Sequence, residues 1–215
     1  MILAAGRGQR LAPLTDTLPK PLVEVGGTTL IERHLAQLAA VGVHDIVINV
    51  SHLGDLIEAR LGDGRAHGVN IVYSREPDGP LETGGGIARA LPLLGDAPFV
   101  VVNADVWTDF VCAFRAAPLD GAHLVLINNP AHHPRGDFSL SGGRVGRDPP
   151  YPYTYAGIGL FAPSVFRGRD QHHFPLAPLL FELAAGGRLS GQIHPGRWFD
   201  IGTLERLEIA RSAVA

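Results

Sequence analysis

Three groups of residues in this chain have the types and spacing to handle phosphate. Gly6 and Gly8 break the apolar run Met1-Ile2-Leu3-Ala4, so the backbone can turn sharply and leave its amides facing an anion. Arg7 and Arg10 follow at once, and Lys20 stands between Pro19 and Pro21, whose locked φ angles keep the ammonium in a stiff segment. Lys20 is also the single lysine among 18 basic residues. A bias towards arginine accounts for the rest of the chain but not for the exception. A compact ammonium can follow phosphate oxygens that move during a reaction, a task that a guanidinium does not duplicate. The second group is Leu81-Glu82-Thr83-Gly84-Gly85-Gly86, at the start of a helical stretch. Three glycines there weaken the helix; they form either a flexible loop or bare backbone on which a flat ring can lie, the helix amino end facing negative charge. The third is Asn103 and Asp105, delivered at the end of the most apolar run, Pro98 to Asn103. A strand-end carboxylate supplies half of a Mg²⁺ site, which wants one or two carboxylates beside water and substrate phosphates.

The spacing excludes two better-known phosphate loops. Leu11 stands where a dinucleotide fingerprint needs its third glycine, and no GK[ST] end marks a P-loop. Composition narrows the partners. A net charge of −3 gives no sign of nucleic-acid binding, so an anionic ligand must meet a local basic site. At 215 residues and 46% hydrophobic content the chain can bury a sizeable core. No stretch reads as a membrane span or signal peptide, and a lone cysteine, Cys112, fits a reducing, cytoplasmic setting with the thiol as a small apolar filler.

The elements that must position these groups alternate between strand and helix. After the loop, Leu22 to Val25 is short and extended; Gly26-Gly27 turns into a helix capped by Thr28 or Thr29, with His34 on its apolar stripe as a structural residue. Asp45 to Val50 is a second strand, Ser51 can cap a helix over Leu53 to Leu61, and Val69 to Ser74 is a third strand. This rhythm predicts a parallel sheet covered by helices on both faces, with ligands at the strands' carboxyl ends. Asp109 is expected to cap a helix from Phe110 to Ala116, and Trp107 either lines the pocket or packs beneath it. Ala122 to Asn128 is another buried strand. The pattern then changes to a hairpin turning at Ser141 to Gly143, and Asp137 ahead of it is either a sugar ligand or an ordinary exposed aspartate. Adjacent pairs His132-His133 and His172-His173 point opposite ways in an extended chain and make poor metal sites. Leu176 to Ala185 reads as an amphipathic helix ended by Gly186-Gly187.

The string L-A-A-G-x-G-x-R-L-x-P-L-T, followed by P-K-P-L, resembles the signature of the sugar-nucleotide pyrophosphorylases, and the resemblance extends over nearly the whole chain. It implies an α/β fold: a Rossmann-like three-layer sandwich with a mainly parallel central sheet and a small β-hairpin appendage for the acceptor. A single domain over 1–215 is expected, with a nucleotide-binding half (1–125) and a sugar-phosphate half (126–215). The implied nucleotide contacts are Ala5, Gly6, Gly8, Gln9, Arg10, Lys20, Glu82, Thr83 and Gly84. The implied sugar contacts are Asn103, Asp137, and Tyr155 and Gly157 of the Y-x-G-I segment. NADVWTD resembles the family's metal segment with Ala104 in place of a glycine, and Asp200 in W-x-D-I-G-T resembles its second metal aspartate.

Arg10, Lys20 and Asp105 would then carry catalysis, with Mg²⁺ on Asp105 and Asp200. L-E-T-G-G-G is similar to the N-acetylmuramate-1-phosphate uridylyltransferase group, implying UTP and that sugar phosphate as substrates in peptidoglycan recycling. Uridylyl, thymidylyl or guanylyl transfer to glucose-1-phosphate or mannose-1-phosphate is the nearest alternative, and a non-catalytic regulatory subunit is another. Family members often use a second lysine for the acceptor phosphate; here Arg144, Arg147 or Arg197 must replace it, or the metal must carry that load.

Overall fold

The computed structural model describes residues 1–114, 119–169 and 173–214. Its strands in chain order are β1 (Ile2–Leu3), β2 (Glu24–Val25), β3 (Thr28–Thr29), β4 (Asp45–Val50), β5 (Asn70–Arg75), β6 (Phe99–Asn103), β7 (Val106–Thr108), β8 (Ala122–Asn128), β9 (Ser139–Ser141), β10 (Arg144–Gly146), β11 (Tyr153–Phe161), β12 (Leu189–Ile193) and β13 (Trp198–Asp200). The helices are α1 (Leu30–Ala40), α2 (Gly54–Leu61), α3 (Glu82–Leu94), α4 (Leu176–Ala185) and α5 (Leu204–Val214).

Nine strands form one sheet in the order β5-β4-β1-β6-β11-β8-β12-β10-β9. β5, β4, β1 and β6 run parallel, and β11 is reversed between β6 and β8. Alternation along the strands sends side chains to two separate cores. Ile46 and Ile48 of β4 join Leu35 of α1 and Ile57 of α2 on one face, while Val47 joins Ile87 of α3 and Leu180 of α4 on the other. Helices therefore cover both faces of a mainly parallel sheet, a three-layer sandwich. The hairpin β9–β10 is annexed to the sheet edge through β12.

Local chemistry sets the helix starts. Thr29 caps α1 in a capping box, accepting from Glu32 N while the Glu32 carboxylate reaches back to Thr29 N. Ser51 does not cap α2: its hydroxyl donates to Glu76 O at 3.0 Å, and the N-cap is Leu53. The helix expected from Phe110 is also absent over 110–114; Ala116 lies outside the described residues. Phe110 and Cys112 are buried while Val111 between them is 61% exposed, the two-residue period of extended chain. No helix among the described residues is long and apolar enough to cross a membrane.

Candidate active site

The carboxyl ends of β1, β4, β5 and β6 meet around a cavity of about 200 Å³ whose lining includes Ala5, Gly6, Gly8, Lys20, Asn103 and Asp105. The glycine loop earns its shape residue by residue. A side chain on Gly6 would meet nothing within 4 Å, so its backbone faces open space. Gly8 has φ +65 and is pinned by Thr15, whose hydroxyl donates to Gly8 O at 2.9 Å. Gln9–Leu11 and Lys20–Leu22 are single 3-10 turns, and the second aims the Lys20 side chain at Asp105, Nζ lying 2.5 Å from Oδ2. A second, adjoining cavity is lined by Arg7, Gly8, Gln9, Arg10, Lys20, Pro80 and Gly202. A Cβ on Gly202 would strike the Arg206 guanidinium and come within 3.2 Å of Arg10 Nη2, so this glycine lets two arginines converge.

Asp105 and Asp200, 95 residues apart in sequence, are neighbours in space. β13 pairs antiparallel with β7, setting Asp200 opposite Val106, and Ile201 N donates to Asp105 O at 2.8 Å. Arg206 Nη1 donates to Asp200 Oδ2. His132 Nε2 stands 3.1 Å from Asp200 Oδ1 but off hydrogen-bonding angles, so that buried oxygen has no hydrogen-bond partner among the described residues. An unpartnered carboxylate oxygen, on a strand bonded to the backbone of a second aspartate, is of the hard-oxygen type a divalent cation takes. Among the described residues no three-ligand cluster exists; Mg²⁺ needs none, because substrate phosphates and water complete its shell. Asp105 and Asp200 are the residues that could hold it.

The glycines at the start of α3 do a different job from the one their type suggested. A Cβ on Gly84 would strike the Phe174 ring and lie 2.9 Å from Phe174 O, and one on Gly86 would lie 2.8 Å from both Asn49 Nδ2 and Glu76 Oε1. Protein, not bare backbone, lies against them, and Gly84 is packed under Phe174 while Glu82 and Thr83 line the cavity. Glu82 takes φ +60, a conformation that is uncommon outside glycine. The glycines admit a buried pair that the sequence reading missed. Asn49 Nδ2 donates to Glu76 Oε1 at 2.8 Å, Asn49 Oδ1 accepts from Ala4 N and Glu76 Oε2 accepts from Leu81 N, both also at 2.8 Å. The pair ties the glycine loop after β1 to the loop before α3. Its position at the carboxyl ends of β4 and β5 was the available signal.

A further cavity of about 240 Å³ shares Thr83 and Asn103 with the first and is lined by Asp137, Phe138, Tyr155 and the apolar face of α4. Asn103 packs against Gly157, where a Cβ would come within 2.8 Å of its Nδ2. Asp137 Oδ2 accepts from Tyr155 N at 2.9 Å, and Oδ1 lies 3.0 Å from His133 Nε2. His132 and His133 thus face opposite sides, towards Asp200 and Asp137. The Tyr155 hydroxyl is buried without a partner among the described residues, and burial pushes its pKa upward. His172 lies outside the described residues.

Trp107 packs beneath the site rather than lining it: it is buried against Phe199, with the Arg33 guanidinium 4.2 Å from its ring centroid. Asp109, in place of capping a helix, meets His194 at 2.9 Å and Arg197 at 3.6 Å. Arg144 donates to Gly187 O and Arg197 to Ala213 O, while Arg147 donates to Asp137 O beside the further cavity.

Residues 1–132 match the nucleotidyl transferase family model. The N-acetylmuramate alpha-1-phosphate uridylyltransferase of Neisseria meningitidis serogroup B is 50% identical over 99% of this chain and 96% of its own length. The Caulobacter vibrioides protein of the same name is 37% identical over 94% of this chain and 90% of its own. Among solved structures, a Bacillus anthracis chain assigned as a glucose-1-phosphate thymidylyltransferase has a TM-score of 0.85, covering 99% of this chain and 93% of that one. At 22% identity that likeness speaks to the fold alone.

Proposed function

The chain belongs to the nucleotidyl transferase family, and on that premise we propose that it transfers the uridylyl group of UTP to N-acetylmuramate α-1-phosphate, releasing pyrophosphate, as a cytoplasmic step of peptidoglycan recycling. The observation that carries the reading is the Lys20–Asp105 pair in a cavity that shares Thr83 and Asn103 with a second one, the strand of Asp200 being bonded to the backbone of Asp105. Near full-length identity of 50% to a uridylyltransferase of that specificity supports the choice of substrates.

Nucleotidyl transfer asks for alignment and charge neutralisation more than for proton transfer. The triphosphate lies along the loop of Gly6 and Gly8, where the open backbone of Gly6 admits it, with Arg10 and Lys20 towards its phosphates. The acceptor sugar sits in the cavity of Asp137 and Tyr155, where the unpartnered hydroxyl offers it a hydrogen bond. Its phosphate passes Thr83 and Asn103, and an oxygen attacks the α-phosphorus in line as the bond to the pyrophosphate oxygen breaks. Lys20 exchanges Asp105 for phosphate oxygens and, with Arg10, stabilises the departing pyrophosphate. When bound by Asp105 and Asp200, Mg²⁺ supplies the positive charge that offsets repulsion between the two phosphates.

The test is pyrophosphate release from UTP, dTTP or GTP, each paired with N-acetylmuramate α-1-phosphate, glucose-1-phosphate or mannose-1-phosphate. UTP with the muramate phosphate should give the highest kcat/KM and require Mg²⁺. A higher value for another pair would move the assignment to that pair, and no release from any would reduce the chain to a binding protein.

A further inference from the structure

The geometry points to Arg147 as the residue that reads the carboxylate of the acceptor sugar, a specificity role that rests on the muramate reading above. N-acetylmuramate carries a lactyl ether carboxylate that glucose, mannose and N-acetylglucosamine lack, so a site that selects it needs a cation away from the phosphate end. Among the described residues the acceptor cavity has none in its walls. Its lining is largely apolar and its charged member is Asp137, which would repel a second carboxylate. Both Asp137 oxygens are already engaged, by Tyr155 N and His133.

Arg147 supplies the missing charge from the rim. Its Nη1 donates to Asp137 O at 2.8 Å, and its guanidinium carbon lies 3.9 Å from the Phe181 ring centroid and 4.7 Å from that of Tyr151. Asp137 and Phe181 are both walls of the cavity, so the fork is clamped on its edge while the residue stays exposed. Stacking on two rings fixes the plane of the fork before any ligand arrives, which lowers the ordering cost of a bidentate contact to a carboxylate. The other two arginines without a lysine to share the work are tied elsewhere: Arg144 to Gly187, Arg197 to Asp109 and Ala213.

A thermodynamic cycle tests this. The full-length enzyme and Arg147→Gln are each given N-acetylmuramate α-1-phosphate and its lactyl amide, at saturating UTP and Mg²⁺, and kcat/KM is measured for both acceptors. The wild type should prefer the acid by roughly ten- to a hundredfold, the range of a hydrogen bond to a charged group, and in Arg147→Gln the preference should collapse towards unity. If Arg147 only braces the hairpin, the variant loses rate with acid and amide alike and keeps its preference, which overturns the assignment. Equal use of acid and amide by the wild type overturns it too. A wild type that uses neither muramate compound but turns over another sugar phosphate refutes the acceptor reading itself, and this assignment with it.

Discussion

Replacing Gly86 with alanine places one methyl group where the structure has no room. The new Cβ would lie 2.8 Å from both Asn49 Nδ2 and Glu76 Oε1, two atoms that are themselves hydrogen-bonded at 2.8 Å. Either the backbone of α3 backs away from the sheet or the pair separates, and separation also loosens Ala4 N and Leu81 N. Overpacking of this kind costs about 1–3 kcal/mol. Loss of a buried hydrogen bond to a carboxylate costs about 1.5–3 kcal/mol more. Alanine's helix propensity returns about 1 kcal/mol. The net is a loss of roughly 1.5–5 kcal/mol, and since 1 kcal/mol shifts Tm by about 2–4 °C at this chain length, Tm should fall by roughly 3–20 °C. Calorimetry reads that directly, and titration with UTP should show weaker binding, because the pair ties together the two loops that flank the cavity proposed for the nucleotide. An unchanged or higher Tm with UTP affinity intact would refute the claim that this glycine exists to admit the Asn49–Glu76 pair.

Lys20→Ala and Asp105→Asn should each lower turnover by about a hundredfold or more, the order lost with one transition-state contact, while leaving the fold intact; a folded variant with near-normal pyrophosphate release would contradict the roles given to them. Burial lowers the His34 pKa from 6.5 to about 4. The unfolded chain therefore takes up a proton first as pH falls through that window, so stability present above 6.5 drains away towards 4, by ~3 kcal/mol in all. His34→Leu should shrink the difference in urea midpoint between pH 7.5 and pH 5, and an undiminished difference would show that other groups set it. Tyr155→Phe removes a buried hydroxyl without a partner, so it should leave stability equal or raise it by about 1 kcal/mol while KM for the acceptor rises; a drop in Tm with KM unmoved would mean the hydroxyl serves the fold.

What could be read from the chain, and what could not, follows the range of the interactions. Thr29 and Glu32 are three residues apart and announce α1 through a local capping box. The stripe of α4 and the apolar run of β6 are equally local, and the two elements lie at Leu176–Ala185 and Phe99–Asn103. The loop around Gly8, Arg10 and Lys20 could be placed after β1 because the residues that shape it are close in sequence, and Gly8 takes the positive φ its type allows. Ser51 misled because a hydroxyl able to cap a helix can also donate to a distant carbonyl, here Glu76 O. Asp109 misled for the same reason, its carboxylate being taken by His194 and Arg197 from another part of the chain. The glycines of α3 could not be read locally at all: what lies against Gly84 is Phe174, about ninety residues on, and what lies against Gly86 comes from the ends of two other strands. Asn49 and Glu76 carry no motif, and only their common place at strand ends marks them.

On the proposed mechanism, β7 and β13 bring two distant carboxylates to one divalent ion. Anomalous diffraction from crystals grown with Mn²⁺, a non-hydrolysable UTP analogue and N-acetylmuramate α-1-phosphate tests it most directly. A single anomalous peak, bonded to oxygens of both Asp105 and Asp200 and to the nucleotide phosphates at about 2.0–2.2 Å, is the predicted result. A peak held by phosphates with either aspartate turned away, Asp200 still paired to Arg206, would contradict it.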